Sequence, residues 1–227
     1  MNNFSFSVTQ EVLDLGVRIL GIKITGAHNT SENLEFETYK KGKLKQVAKD
    51  WQGKNYKEDS ILQGFRDLHT KVGRSNRDFV ASPENLLGRF LKKGVFPHIN
   101  TIVDIYNLIS IESRLALGAH DINYVHGNIT LRLTDGSENF VPLGYTEPEK
   151  AFPQEYAYVD DENNIVCRLE VLQVEPTKIT LESKDIFFII QGNSQTPIDY
   201  IETATKNLVD LLTRFCAGEI TYLNQIK

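Results

Sequence analysis

The chain has 227 residues, 41% of them apolar and 24% charged, which are the proportions of a soluble globular protein. A chain this long buries a core without disulfides or metals, and no stretch approaches the roughly 18 apolar residues of a membrane span. Residues 1–7 lack the basic start and apolar stretch of a secretory leader. The two cysteines, Cys167 and Cys216, make neither a disulfide framework nor a metal knuckle, so a reduced, cytoplasmic chain is expected.

In chain order, Val17, Ile19, Ile22 and Ile24 form an apolar run that predicts a strand ending at Gly26. Residues 31–52 turn helical and lysine-rich, until Gly53-Lys54-Asn55 breaks the pattern. Ile61, Phe65, Leu68 and Val72 predict a second helix over 60–72. Ser82-Pro83-Glu84 reads as a helix start: a hydroxyl N-cap, proline at the first helical position, then an acid. That helix stops at Gly94, and residues 100–110, dense in Ile, Val and Leu, predict another. Glycine-punctuated strands are expected at 129–133, 140–143, 155–159, 165–171, 178–181 and 185–190, with a polar turn at 160–164. Residues 198–216 close the pattern as an amphipathic helix ended by Gly218.

The reading is α+β. One domain over 1–227 is expected, with a helical, basic part (1–95) and a pocket-bearing core (96–218). In it, the strands of 123–190 form one sheet system backed by the 100–110 helix.

The net charge of −5 argues against indiscriminate coating of nucleic acid, but it is unevenly spread. Residues 1–100 hold 16 Lys and Arg against 11 Asp and Glu, and residues 101–227 hold 9 against 19. Lys41, Lys43, Lys45 and Lys49 sit near Trp51 and Tyr56, a combination that can follow a phosphate backbone and stack on bases. The plainer alternative is a solvated helix face.

Phosphate loops, dinucleotide fingerprints, zinc-protease helices, CxxC pairs and nucleophile elbows are absent. The five histidines show no ligand spacing, and neither metal nor cofactor is expected. Asp104 and Asn107 stand three apart on an otherwise apolar helix, so each must find a partner or line a cavity. Gly118-Ala119-His120-Asp121 forms a second polar cluster, read as a turn, followed by Gly127 and Arg132.

Pro97-x-Ile99-Asn100-x-x-Val103-Asp104-x-x-Asn107, then Gly118-x-x-Asp121 and Gly127-x-Ile129-x-x-Arg132, resembles the B3/B4 domain. This is the tRNA-binding and editing domain of the phenylalanyl-tRNA synthetase β subunit. Ser82-Pro83-Glu84-x-Leu86-Leu87 and Val166-Cys167-Arg168 look like its free-standing relatives. The resemblance, over residues 10–218, implies an RNA-linked protein acting in translation fidelity. It would bind tRNA or aminoacyl-tRNA and hydrolyse mischarged species in trans.

The alternative is a non-catalytic binder of tRNA or of a small amino-acid-like ligand. Neither DNA nor a membrane is expected as a partner, and the length leaves no room for a complete ligase. Carried over by position, Asn107 and His120 would be catalytic, and Asp104, Gly118, Asp121, Arg168 and Glu170 would bind substrate. Lys41, Lys43, Lys45 and Lys49 would hold RNA. Three departures stand out. Gly118 replaces the family's pocket histidine, leaving space for a roomier cavity; Ile190-Gln191 replaces its glutamate; and Leu169 and Leu172 replace the usual Trp and Arg.

Overall fold

The computed structural model describes residues 4–224, so residues 1–3 of the N-terminal stretch considered above lie outside the described ones. Strand β1 (Phe6–Val8) and a short helix α1 (Gln10–Asp14) precede β2 (Arg18–Thr25), the first predicted strand. Three helices follow, α2 (Leu34–Asp50), α3 (Ser60–Lys71) and α4 (Ser82–Lys93), then α5 (Thr101–Ser113). Strands β3 (Ala116–Asp121) and β4 (Ile129–Leu133), the short pair β5 (Asn139–Phe140) and β6 (Glu149–Lys150), and β7 (Tyr156–Asp160) come next. The chain ends with β8 (Ile165–Arg168), β9 (Leu172–Gln173), β10 (Ile186–Gly192), α6 (Ile198–Cys216) and β11 (Glu219–Tyr222). No described helix is long and apolar enough to cross a membrane.

The α+β expectation is met, but where one sheet system was expected the described residues form two main sheets and a separate two-stranded β5-β6 ribbon. One sheet runs β1-β4-β7-β8-β9, and the other β11-β2-β10-β3. The long, β-branched β10 is central to the second, paired antiparallel with β2 on one side and β3 on the other. Its two faces serve different layers. Phe188 meets Tyr106 of α5, whereas Phe187 packs on Phe4 and Phe6, and Gln191 meets Tyr158 of the first sheet. Helices α5 and α6 therefore cover one face of the second sheet, and the first sheet covers the other. Because β1 joins the first sheet and β2 the second, residues 4–95 are not purely helical.

Local chemistry explains where the elements differ from expectation. Strand β8 stops at Arg168 because Leu169 adopts φ 52°, and residues 178–181 form no strand. The polar cluster at 118–121 is not a turn but most of β3, a wholly buried edge strand. Helix α4 starts at Ser82, yet its N-cap is Ala81, and the Ser82 amide donates to the Glu170 carbonyl (3.1 Å). Its C-cap is Gly94, in the left-handed conformation that glycine tolerates best. Helix α5 is capped by the Asn100 side chain, which accepts from the Val103 amide (3.0 Å).

Asp104 ties α5 to α2. Its carboxylate, fully buried, lies 2.6 Å from the Lys40 ammonium, takes a hydrogen bond from His98 Nδ1 (2.7 Å) and accepts from the Ile99 amide (2.9 Å). A buried carboxylate left without its cation costs about 3 to 5 kcal/mol. Lys40→Met should therefore lower stability by that amount in urea unfolding, and the Lys40→Met/Asp104→Leu double variant should regain most of it, since an apolar pair leaves no charge unmatched.

Candidate functional site

A cavity of about 420 Å³ opens where α5 wraps the β3 edge of the second sheet and meets the first. This is the size range of small-molecule sites. Its walls are largely apolar, from Val103 and Tyr106 of α5, Leu117 of β3, Ile189 of β10 and Tyr158 of β7. Leu143, Tyr145 and Ile99 stand exposed at its rim. The polar side chains lining it include Asn107, Gln173, Gln191 and Glu170.

The Asn107 side chain makes no hydrogen bond to any described residue, so its amide is free for a ligand or water. Gly118 also lines the cavity, but the space its missing Cβ leaves is occupied. A Cβ there would stand 3.0 Å from Gln173 Nε2, so the Gln173 amide fills the place where a larger side chain would project. The cavity is correspondingly less roomy than the glycine alone implies.

Glu170 anchors the floor. Tyr156 donates to its Oε2 (2.5 Å), as does Gln191 Nε2 (3.1 Å), while His69 Nε2 lies 2.6 Å from Oε1. Tyr158 in turn donates its hydroxyl to Gln191 Oε1, so the Gln191 carboxamide is fixed in one orientation. His69 Nδ1 faces the Phe79 carbonyl (3.0 Å), which only accepts, so that nitrogen carries hydrogen. Burial works against a charge on His69, but its hydrogen bond and attraction to Glu170 outweigh it and raise its pKa above the ordinary value. The raised value favours a protonated imidazole facing Glu170. Burial, with Glu170 nearby, pushes the Cys167 thiol far above its usual range, so this cavity-wall cysteine is no nucleophile at neutral pH.

Four residues expected at the site lie elsewhere. Asp104 is committed to Lys40 and His98, as described, because only a cation compensates a carboxylate at that depth. His120 shares a strand face with Gly118 but points into the core one step further along, bonded through Nδ1 to Thr177 Oγ1 (2.8 Å) and closed off from the cavity. Asp121 caps the following 3-10 turn, accepting from the Asn123 amide and side chain (3.0 Å each). Arg168 holds Glu155 in a bidentate pair (2.5 and 2.8 Å) among the rings of Phe79, Phe140 and Phe152.

The basic segment is likewise divided. Lys41, Lys45 and Lys49 are exposed at successive turns of one helix face, whereas Lys43 turns towards α5 and pairs with Glu112 (3.0 Å). The structure also gathers Glu37, His98 and Asp104 with ligand atoms within 4.8 Å, a grouping the spacing of the histidines did not suggest. The Lys40 ammonium, 2.6 Å from both carboxylates, already supplies the positive charge there.

Tyr158, Gln173 and Gln191 of the cavity lining, and His69 buried behind Glu170, are the groups that sequence reading passed over as site residues. The available signal for His69 was its place four residues after Phe65 and eight after Ile61, on the apolar stripe of α3.

The two buried histidines pull stability in opposite directions with pH. His69, with its raised value, contributes stability that is complete below its unfolded value of about 6.5 and is lost as pH rises through the folded one. His120, lowered by burial to about 4, stays neutral when folded, so its contribution is lost as pH falls from about 6.5 towards 4. The second loss is on the order of 3 kcal/mol. His120→Gln should flatten the acid limb of a stability–pH profile between pH 6.5 and 4, and His69→Gln the alkaline limb, both read by chemical denaturation.

The sequence resembles known proteins over much of its length. Residues 65–218 match the profile of the B3/4 domain family. Over 106 residues, 47% of the chain, the sequence is 29% identical to the phenylalanine–tRNA ligase β subunit of Fusobacterium nucleatum subsp. nucleatum. That match covers 13% of the length of the relative. A crystal structure of an N-terminal fragment of the phenylalanyl-tRNA synthetase β subunit from Pyrococcus horikoshii aligns with a TM-score of 0.49 at 15% identity. The alignment covers 97% of this chain and 51% of that one. With two thirds of its length matched to the family profile, the chain belongs to the B3/4 domain family.

Proposed function

We propose that this protein binds the aminoacyl end of a tRNA in the cavity beneath α5 and hydrolyses mischarged esters in trans. The observation that carries the reading is the Asn107 amide, unpartnered within the described protein and facing a cavity of about 420 Å³. Its relationship to a tRNA ligase subunit supplies the substrate class. The apolar walls suit an amino-acid side chain, and Glu170 places a carboxylate where an α-ammonium could be met.

The chemistry asks little of the protein. Water adds to the ester carbonyl carbon, the carbonyl oxygen becomes an oxyanion, and the bond to the ribose oxygen then breaks. The proton from the attacking water ends on that ribose oxygen, passed by the neighbouring hydroxyl. Asn107 supplies a donor to the developing oxyanion or positions the water. A second donor is available from the backbone. The Asp121 amide on the outer edge of β3 donates to the Thr177 carbonyl (2.9 Å), and strand alternation puts the Leu117 amide on that same open edge. His120 and Cys167 have no part in this scheme, one being walled off and the other held protonated.

A second reading, binding without hydrolysis, is favoured by one observation. Glu170, the carboxylate among the lining residues, already accepts three hydrogen bonds, so its oxygens are committed to the protein rather than to a water. A deacylation assay with a panel of mischarged tRNAs decides between the two. Asn107→Ala should reduce the rate about 100- to 1000-fold, the effect of losing one oxyanion donor. Because Asn107 bonds to no described residue, stability should fall by about 1 kcal/mol at most. Binding of uncleaved aminoacyl-tRNA by the wild-type protein, with no ester loss, would establish the second reading.

A further inference from the structure

The cavity is not the only concave surface. Between α2 and α4 runs a groove made of two adjoining basins of about 700 Å³ each. The first is floored by Leu44, Ala48, Phe90 and Phe96 and edged by Lys41 and Lys45. The second adds Trp51 and Tyr56, both half-buried, with Lys54 and Lys92 beside them. Ala48, Phe90 and Gly94 line both, so the basins form one track. Glu37 is the one carboxylate among the lining residues, and the Lys40 ammonium 2.6 Å away already offsets it.

Lysines along an aromatic floor are the pattern of a site for single-stranded nucleic acid, where bases stack on rings and phosphates follow the charges. An acidic protein helix would meet the charges equally well but would use the flat aromatic faces less fully. The track also leads somewhere. His98 lines the groove and its neighbour Ile99 lines the cavity rim, so the segment 96–99 runs from one to the other. Charge elsewhere narrows the choice further, because residues 101–227 carry more than twice as many acids as bases and repel a polyanion.

We infer that the α2–α4 groove is the track for the single-stranded 3′ end of the tRNA, delivering its terminal ester over the Phe96–Ile99 segment into the cavity. This rests on the aminoacyl-tRNA reading of the cavity. Lys41 and Lys45 of the first basin, with Lys49 exposed one turn further along the same helix face, span about 12 Å at the helical rise, enough for about three phosphates at stacked spacing.

Trp51 is the only tryptophan in the chain, so its fluorescence reports on the groove without labelling. The intact protein should be titrated with a single-stranded RNA of about 10 nucleotides ending in CCA, with the same strand in a duplex, and with an acidic amphipathic peptide. The single strand should quench Trp51 and bind with a log–log salt slope of about −2, from about −0.7 for each of three phosphates. Lys41→Gln/Lys45→Gln/Lys92→Gln should weaken it at least tenfold at low salt and flatten the slope, with an unchanged melting temperature. RNA binding with Trp51 emission and slope untouched by the substitutions would place the RNA elsewhere, overturning the groove while leaving the tRNA reading intact. Equal quenching by duplex, or stronger quenching by the peptide, would also overturn it. Quenching as expected but no deacylation or aminoacyl-dependent affinity would instead sink the cavity reading alone, and no RNA affinity of any kind would remove both.

Discussion

The Glu170 carboxylate is the junction at which the layers of this protein meet. Its donors come from three places in the fold: His69 from α3, Tyr156 from the first sheet and Gln191 from the centre of the second. A buried carboxylate is costly unless its lone pairs are matched, and here each donor fixes the position of a different layer. The cavity lies against this junction. Its floor is therefore as rigid as the packing of the two sheets, whereas its rim of Leu143, Tyr145 and Ile99 is exposed.

The same economy recurs across the interior. Asp104 is answered by Lys40, Glu170 by His69, and Glu155 by Arg168 and Arg74. Three of these four cationic partners belong to the first 100 residues and all three acids to the remainder. Part of the charge asymmetry along the chain is thus consumed internally, the basic segment stitching itself to buried acids of the core. What remains on the outside of α2, Lys41, Lys45 and Lys49, is the portion free to meet an outside partner.

Much of this was legible in the sequence. Helical patterning marked α2, α3 and α6, Pro83 and Gly94 bounded α4, apolar density marked α5, and the apolar run at 185–190 marked a strand, because those signals are local. Strand β3 was hidden because Ala116-Leu117-Gly118-Ala119-His120-Asp121 has no β-branched residue and a glycine that reads as a turn. Asp104 and Asn107 looked alike on the helix, yet one is spent on an ion pair and the other opens on the cavity. The difference is decided by Lys40, 64 residues away, and nothing local announces it. Gly118 implied empty space for the same reason, since the Gln173 amide that fills it comes from another sheet.

Strand β2, built from residues 18–25, is hydrogen-bonded on one side to β10 and on the other to β11, and both of those lie beyond residue 185. The second sheet therefore closes only when segments distant in sequence come together, an arrangement of high contact order that folds slowly. On the ribosome, β2 would wait for all the chain up to β10 before either of its edges is paired. An apolar strand left open that long is exposed to wrong pairings, which makes this a protein whose synthesis, more than its finished stability, calls for protection by chaperones.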